Sequence, residues 1–219
     1  MTIPAHGRDK VTFIGEMTAS LSHELQNVFA IIKERAGLLE DMLLLGSTPS
    51  EADVVNCLSA IDRHVNRGSA LVSSLNRFAH GTDKPVQTIG VQASLAAFIA
   101  VSGRIFRGRG GTVEIADGDA DACVTLDPVR FQMLIFDCLD LLFRVLPLPA
   151  VVSVQVDSHA DGVRVQCLQS VAEPRPSGPD EAEMKLDETW LTLEAQAAEL
   201  GGVLRRCQVP AGIELTFQQ

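Results

Sequence analysis

The chain contains no tyrosine and a single tryptophan, Trp190, so aromatic platforms for stacking bases or sugars are nearly missing. It also lacks a surplus of cations: 18 Lys and Arg stand against 28 Asp and Glu, a formal net charge of −10. Phosphate binding needs Lys and Arg massed on one surface, and here they are scattered, which excludes nucleic acid as the main partner. No CxxC pair occurs among the five cysteines, Cys57, Cys123, Cys138, Cys167 and Cys207, and their number is odd. Neither a disulfide framework nor a zinc cage is signalled; reduced, mostly buried thiols in a cytoplasmic protein are expected. No apolar run approaches the roughly 20 residues that cross a bilayer, and the opening MTIPAHGRDK has no signal-peptide core. No membrane partner is expected.

What is present is enough apolar material for a buried core, 46% of 219 residues. From Lys10 to Leu45 there is no proline, and Ile14, Leu21, Val28 and Met42 recur in sevens while Leu25, Ile32 and Leu39 form a second row. This pattern predicts a long amphipathic helix with a coiled-coil-like seam. The break at Gly46-Ser-Thr-Pro49 precedes Ser50, a cap for a second helix with Asp53 at the capping-box position. That helix is expected to run to His80 on a row including Leu58, Ile61, Val65, Leu75 and Phe78. Two such helices form an antiparallel hairpin with one apolar face left over. Pairing two hairpins in a four-helix bundle satisfies that face, so a homodimer is expected; the alternative is packing of the seam on the chain's own second half.

After Pro85 the periodicity becomes mixed. Helices are expected over 91–106, 127–145 and 189–200, and strands over 112–115, 122–126, 151–156, 163–168, 203–207 and 213–217. Pro128 opens the middle helix, Asp161-Gly162 turns the central hairpin, and Gly201-Gly202 stops the last helix. The fold class is α+β: a segment 1–9, a helical hairpin over 10–82, and an α/β sandwich over 86–219, with helices on one face of a mixed sheet.

Within the first helix the stretch SHELQN places His23 beside Glu24 and sets Asn27 one turn later. With Leu21 at zero on the helical wheel, Leu25 lies near 40°, Val28 near −20° and His23 near 200°, about opposite the seam. Asn27 shares the face of His23. An exposed imidazole is a nucleophile for phosphoryl transfer when a carboxylate relieves it of its proton, and Glu24 can supply that base. The Asn27 amide can orient a water against an acyl phosphate. By spacing alone the three fit an ordinary solvated helix face equally well.

The stretch MTASLSHELQNVFAIIKERAGLLEDML resembles the H-box of the dimerisation and phosphotransfer domain of two-component histidine kinases, with Ser22, His23, Glu24, Leu25 and Asn27 matching its core. RGSALVSSLNRFAH is similar to the end of that family's second helix, so the resemblance covers about residues 10–80. It implies that His23 is the phosphorylated residue, Glu24 its acid/base helper and Asn27 the residue that dephosphorylates a response regulator. It further implies response-regulator receiver domains as partners, packing on Thr18, Leu21, Leu25 and Phe29. Phe29 reads either as an exposed apolar rim near the histidine or as a core residue. His64 and His80, without such company, are expected to be surface residues.

The second half resembles the same family's ATP-binding domain in outline only. LDPVRFQMLIFDCLDLLFRV has the cadence of its N-box helix, yet the position of the key Asn holds Leu141, and leucine cannot ligate magnesium. Asp137 and Asp140 are expected as half-exposed acids on that helix rather than a metal site. The Asp-x-Gly-x-Gly segment and the glycine-rich lid are missing from the sequence; Asp180 and Asp187 lie in or near a Pro-rich connector and read as solvated or capping carboxylates. The resemblance thus points to the dimeric histidine phosphotransferases of phosphorelays, in which the ATP-binding-like domain is degenerate. No tightly bound cofactor or metal is expected, with Mg2+ supplied by the receiver partner. A kinase with a divergent nucleotide site, a docking regulator without turnover and a receiver phosphatase are the alternatives.

Overall fold

The computed structural model describes residues 9–44, 49–81, 83–159, 162–170, 188–208 and 210–218. The Pro-rich connector, with the solvated or capping carboxylates expected at Asp180 and Asp187, lies outside them.

Two long helices open the chain, α1 over Lys10–Leu44 and α2 over Glu51–His80. Ser50 caps α2: its hydroxyl accepts from the Asp53 amide at 3.2 Å, while the Asp53 carboxylate accepts from the Ser50 amide at 3.3 Å. This satisfies two of the amides that a helix start leaves orphaned. The helices run antiparallel, because Phe13 meets Phe78 at one end and Val28 lies against Gly68 further along. A Cβ on Gly68 would come within 3.3 Å of the Val28 side chain, so glycine lets the two helices approach there.

The remaining elements are β1 (Gln87–Gly90), α3 (Val91–Gly108), β2 (Gly111–Ile115), β3 (Cys123–Leu126), α4 (Pro128–Val145), β4 (Ala150–His159), β5 (Gly162–Gln169), α5 (Glu188–Glu199), β6 (Gly202–Cys207) and β7 (Gly212–Phe217). β1, which the sequence did not predict, pairs antiparallel with β3 in a two-stranded ribbon. The other five form a mixed sheet in the order β2-β4-β5-β7-β6, parallel only between β2 and β4. Alternation fixes its faces. Val152, Val154, Val156, Val163, Val165, Cys167, Ile213, Leu215 and Phe217 are buried, while Ser153, Gln155, Arg164, Gln166 and Glu214 lie between them and are only partly covered.

Asp127 caps α4 by accepting from the amides of Val129 and Arg130, both at 3.1 Å, and Pro128 occupies the first turn. The predicted stop at the end of α5 divides its work between two glycines. Gly201 adopts φ +72°, a conformation side chains rarely take, and a Cβ on Gly202 would meet the Phe217 ring at 2.7 Å.

The hairpin is joined to the α/β unit through shared core. Phe13 packs with ring centroids 6.1 Å from Phe78, 6.2 Å from Phe98 on α3 and 5.8 Å from Phe136 on α4. Phe13, Met17 and Leu21 are buried in one continuous core with the α/β unit. The start of α1 therefore packs on the chain's own second half, chiefly through Phe13 and Met17, which lie outside the two predicted apolar rows. Further along, Leu38, Leu43, Val55, Leu58, Val65 and Val72 keep substantial exposure.

Candidate functional site

Helix α1 has three sides, set by its neighbours. Phe13, Met17, Ser20 and Glu24 fall within about 60° of one another on the wheel and face α3 and α4. Met17 and Phe13 fill the core, and the Ser20 hydroxyl donates to the Val101 carbonyl of α3 at 3.4 Å. Leu21, Leu25, Val28 and Ile32 make the second side, against α2. The third side is open to solvent and carries His23 and Asn27, both exposed and about 40° apart on the wheel. Ala19 and Ala30 are also exposed and flank the pair on the same face. Ala19, one turn before His23, leaves the imidazole open on that side, and Asn27 stands one turn after it.

Glu24 is placed differently from its neighbour His23. It retains 5% of its accessible surface and faces inward, where Arg107 of α3 donates to one carboxylate oxygen at 2.5 Å and Arg67 of α2 to the other at 3.2 Å. Both oxygens are engaged from other helices, and among the described residues the His23 ring has no hydrogen-bond partner. A signal for this was present: the wheel sets Glu24 about 60° from Leu21, on the seam side of the helix rather than with His23. Arg67 and Arg107, which sequence reasoning missed, belong to the same constellation.

The four expected partner-binding residues do not form one surface. Leu21 is a core residue at 1% exposure, a correction to its reading as a contact residue. Leu25 is half-buried against the core. Thr18 is exposed, but its hydroxyl turns back to donate to the Ile14 carbonyl at 2.8 Å, and it lies about 140° round the helix from His23. Phe29 is 65% exposed, which sets aside its core reading, but it lies about 120° round the helix from His23 rather than beside it.

In the N-box-like helix α4, Leu141 is buried at 1% exposure and belongs to the core. Asp140 is buried rather than half-exposed, and its carboxylate is ion-paired with Arg109 and with Arg144, the latter at 3.5 Å. Asp137 is half-buried and accepts from the Gln196 amide of α5 at 3.4 Å. Two further contacts tie α5 to α4: Arg130 to Glu199 at 2.7 Å, and Arg144 to the Thr189 hydroxyl at 3.5 Å. Among the described residues no group of three or more His, Cys, Asp or Glu side chains is arranged to hold a metal ion, and no helix is long and apolar enough to cross a membrane.

The other two helical histidines separate. His80 is exposed and lies 2.9 Å from the Asp83 carboxylate. His64, expected at the surface, is half-buried on the row that includes Cys57, Leu71 and Phe78, and its Nδ1 is buried with no partner among the described residues.

No family model matches the chain, and no curated protein does. Among solved structures it is similar to the histidine kinase AdeS of Acinetobacter baumannii, with 12% identity, a TM-score of 0.48 and coverage of 90% of this chain and 97% of that one. It is similar to a bacterial phosphotransferase at 16% identity and a TM-score of 0.47, over 98% of this chain and 97% of that one. A third similarity is to the histidine kinase ThkA in its complex with the response regulator TrrA, at 16% identity and a TM-score of 0.43, over 94% of this chain and 61% of that one.

Proposed function

We propose that the chain is a cytoplasmic histidine phosphotransferase of a two-component phosphorelay. In this reading a His23 ring nitrogen attacks the phosphorus of a receiver's aspartyl phosphate, the bond from phosphorus to the carboxylate oxygen breaks, and the ring gives up its proton. The phosphoryl group then passes to the aspartate of a second receiver by the reverse step. Mg2+ at the transfer comes with the receiver, and no nucleotide is bound by this chain.

The observation that carries the proposal is the open face of α1. His23 and Asn27 stand together on it, and Ala19 leaves the imidazole open on one side to a partner. The buried Leu141, the pairing of Asp140 with two arginines and the packing of α5 on Asp137 support the absence of nucleotide chemistry, since the groups that would coordinate magnesium are replaced or already engaged. Receiver contacts are proposed around His23, with Leu25, Thr18 and Phe29 reached only by a partner that wraps the helix.

The homodimer belongs to the same reading. Leu58, Val65 and Val72 recur in sevens on the outer row of α2, between 43% and 54% exposed, and a second hairpin is the partner that such a row fits. The test is to incubate the protein with a phosphorylated receiver and follow label on both. Acid-labile label on the protein that disappears in His23→Ala supports transfer. Release of free phosphate that survives in His23→Ala and disappears in Asn27→Ala supports instead a receiver phosphatase, a second reading that the exposed Asn27 favours. If neither occurs, docking alone remains.

A further inference from the structure

We propose that Glu24 is a positioning residue, and that Arg107 and Arg67 are positioning residues with it: together they lock the rotation of α1 at the level of His23. This rests on the reading of His23 as the phosphoryl carrier. It assigns Glu24 a task other than moving the proton of its neighbour.

Burial makes pairing necessary. A carboxylate with 5% exposure must be paired, because an uncompensated charge in such a place is strongly disfavoured. Here it is paired twice, from two different helices. Arg107 ends α3 and lies 83 residues away in sequence, while Arg67 sits in α2, 43 residues away. A single salt bridge would let the helix pivot about one contact; two guanidinium groups on the two oxygens fix the direction in which Glu24 points. His23 is its immediate neighbour, so fixing the azimuth of Glu24 fixes that of the imidazole, about 100° round the helix.

Placement along α1 matters as well. The contacts with α3 and α4 climb α1 from Phe13 through Ser20 to Glu24, while on α3 they climb from Phe98 through Val101 to Arg107. Glu24 is the last of this series and thus the fixing point nearest to His23. At a side-chain radius of about 5–6 Å, a helix rotation of about 20° would move the imidazole by about 2 Å. In phosphoryl transfer a displacement of about 1 Å can lower the rate about a hundredfold. Both arginine side chains are about half exposed, at 53% and 54%, and each holds a different oxygen of Glu24, so either can be replaced while the other still pairs the carboxylate.

The base reading and the clamp reading part company at Arg107. If Glu24 relieves His23 of its proton, removing Arg107 leaves that function intact. If Glu24 is an anchor, Arg107→Ala and Glu24→Gln break the same contact. The experiment uses the full-length protein with a receiver domain phosphorylated on its aspartate, and compares Glu24→Gln, Arg107→Ala, the double variant and Arg107→Lys. Expected are losses of about tenfold in the saturating transfer rate for each single variant, with half-saturating receiver concentration changed less than about twofold. The double variant is expected to be no slower than the slower single, the pH profile to keep its shape, and Arg107→Lys to recover most of the rate.

Amide hydrogen exchange over residues 20–28 is measured alongside and is expected to quicken in Arg107→Ala. A rate collapse in Glu24→Gln with Arg107→Ala at the wild-type rate overturns the proposal. Absence of label on His23 of the wild-type protein overturns the carrier reading instead; exchange still judges the clamp, and unchanged exchange in Arg107→Ala overturns it.

Discussion

Cys138 on α4 and Cys167 on β5 face each other's elements across the interior, both with no accessible surface. Burial pushes the Cys138 thiol well above its ordinary range, with Cys167 and Asp137 adding to the shift, and raises Cys167 to about 12. Both thiols stay protonated near neutrality, which makes them poor nucleophiles there. Cys123 is exposed on β3. Titration of the folded protein with an aromatic disulfide at pH 8 is expected to modify Cys123 rapidly, and Cys138 and Cys167 only once the chain unfolds. The same shifts set a pH dependence. Above about pH 9 the unfolded chain releases thiol protons that the folded chain retains up to about 12 at Cys167, so stability contributed by these thiols falls as pH rises through that window. Denaturant midpoints at pH 8 and pH 10 check this, and Cys167→Ala is expected to narrow the difference.

At the scale of elements, α1 and α2 divide their apolar residues among different partners. Phe13 and Met17 are buried toward α3 and α4 and Leu21 toward α2 within one core, whereas Leu58, Val65 and Val72 on α2 remain substantially exposed. Asp in place of Leu58 together with Asp in place of Val65 is expected to turn a dimer into a monomer with helix content unchanged, measured by sedimentation and circular dichroism. A dimer surviving both changes would remove the proposed bundle. The sequence made these helices readable because their rows extend over many turns and Ser50 and Asp53 mark a start. It did not disclose that α1 is buried on two sides: the Phe13, Met17, Leu21 spacing of four resembles any helical stripe until α3 is known to lie beside it. β1 escaped because the four residues QTIG carry too little alternation to register. Within the site, His23 and Asn27 were legible from the wheel. The inward turn of Glu24 was legible only as an angle, since the arginines that hold it come from elements 43 and 83 residues distant.

For the molecule as a whole, the Phe13 cluster and the Glu24 clamp join the hairpin and the α/β unit through a continuous core, and the open face of α1 looks away from that junction. In the proposed reading the histidine waits for a partner, whereas a kinase would bring its own nucleotide to it. The proposal is that phosphate reaches His23 from another protein and not from ATP bound here. The direct measurement supplies the full-length protein, in parallel, with Mg2+-ATP and with a phosphorylated receiver, and locates acid-labile phosphate by mass spectrometry. The account predicts phosphate on His23 from the receiver and none from ATP; phosphate on His23 from Mg2+-ATP alone would contradict it.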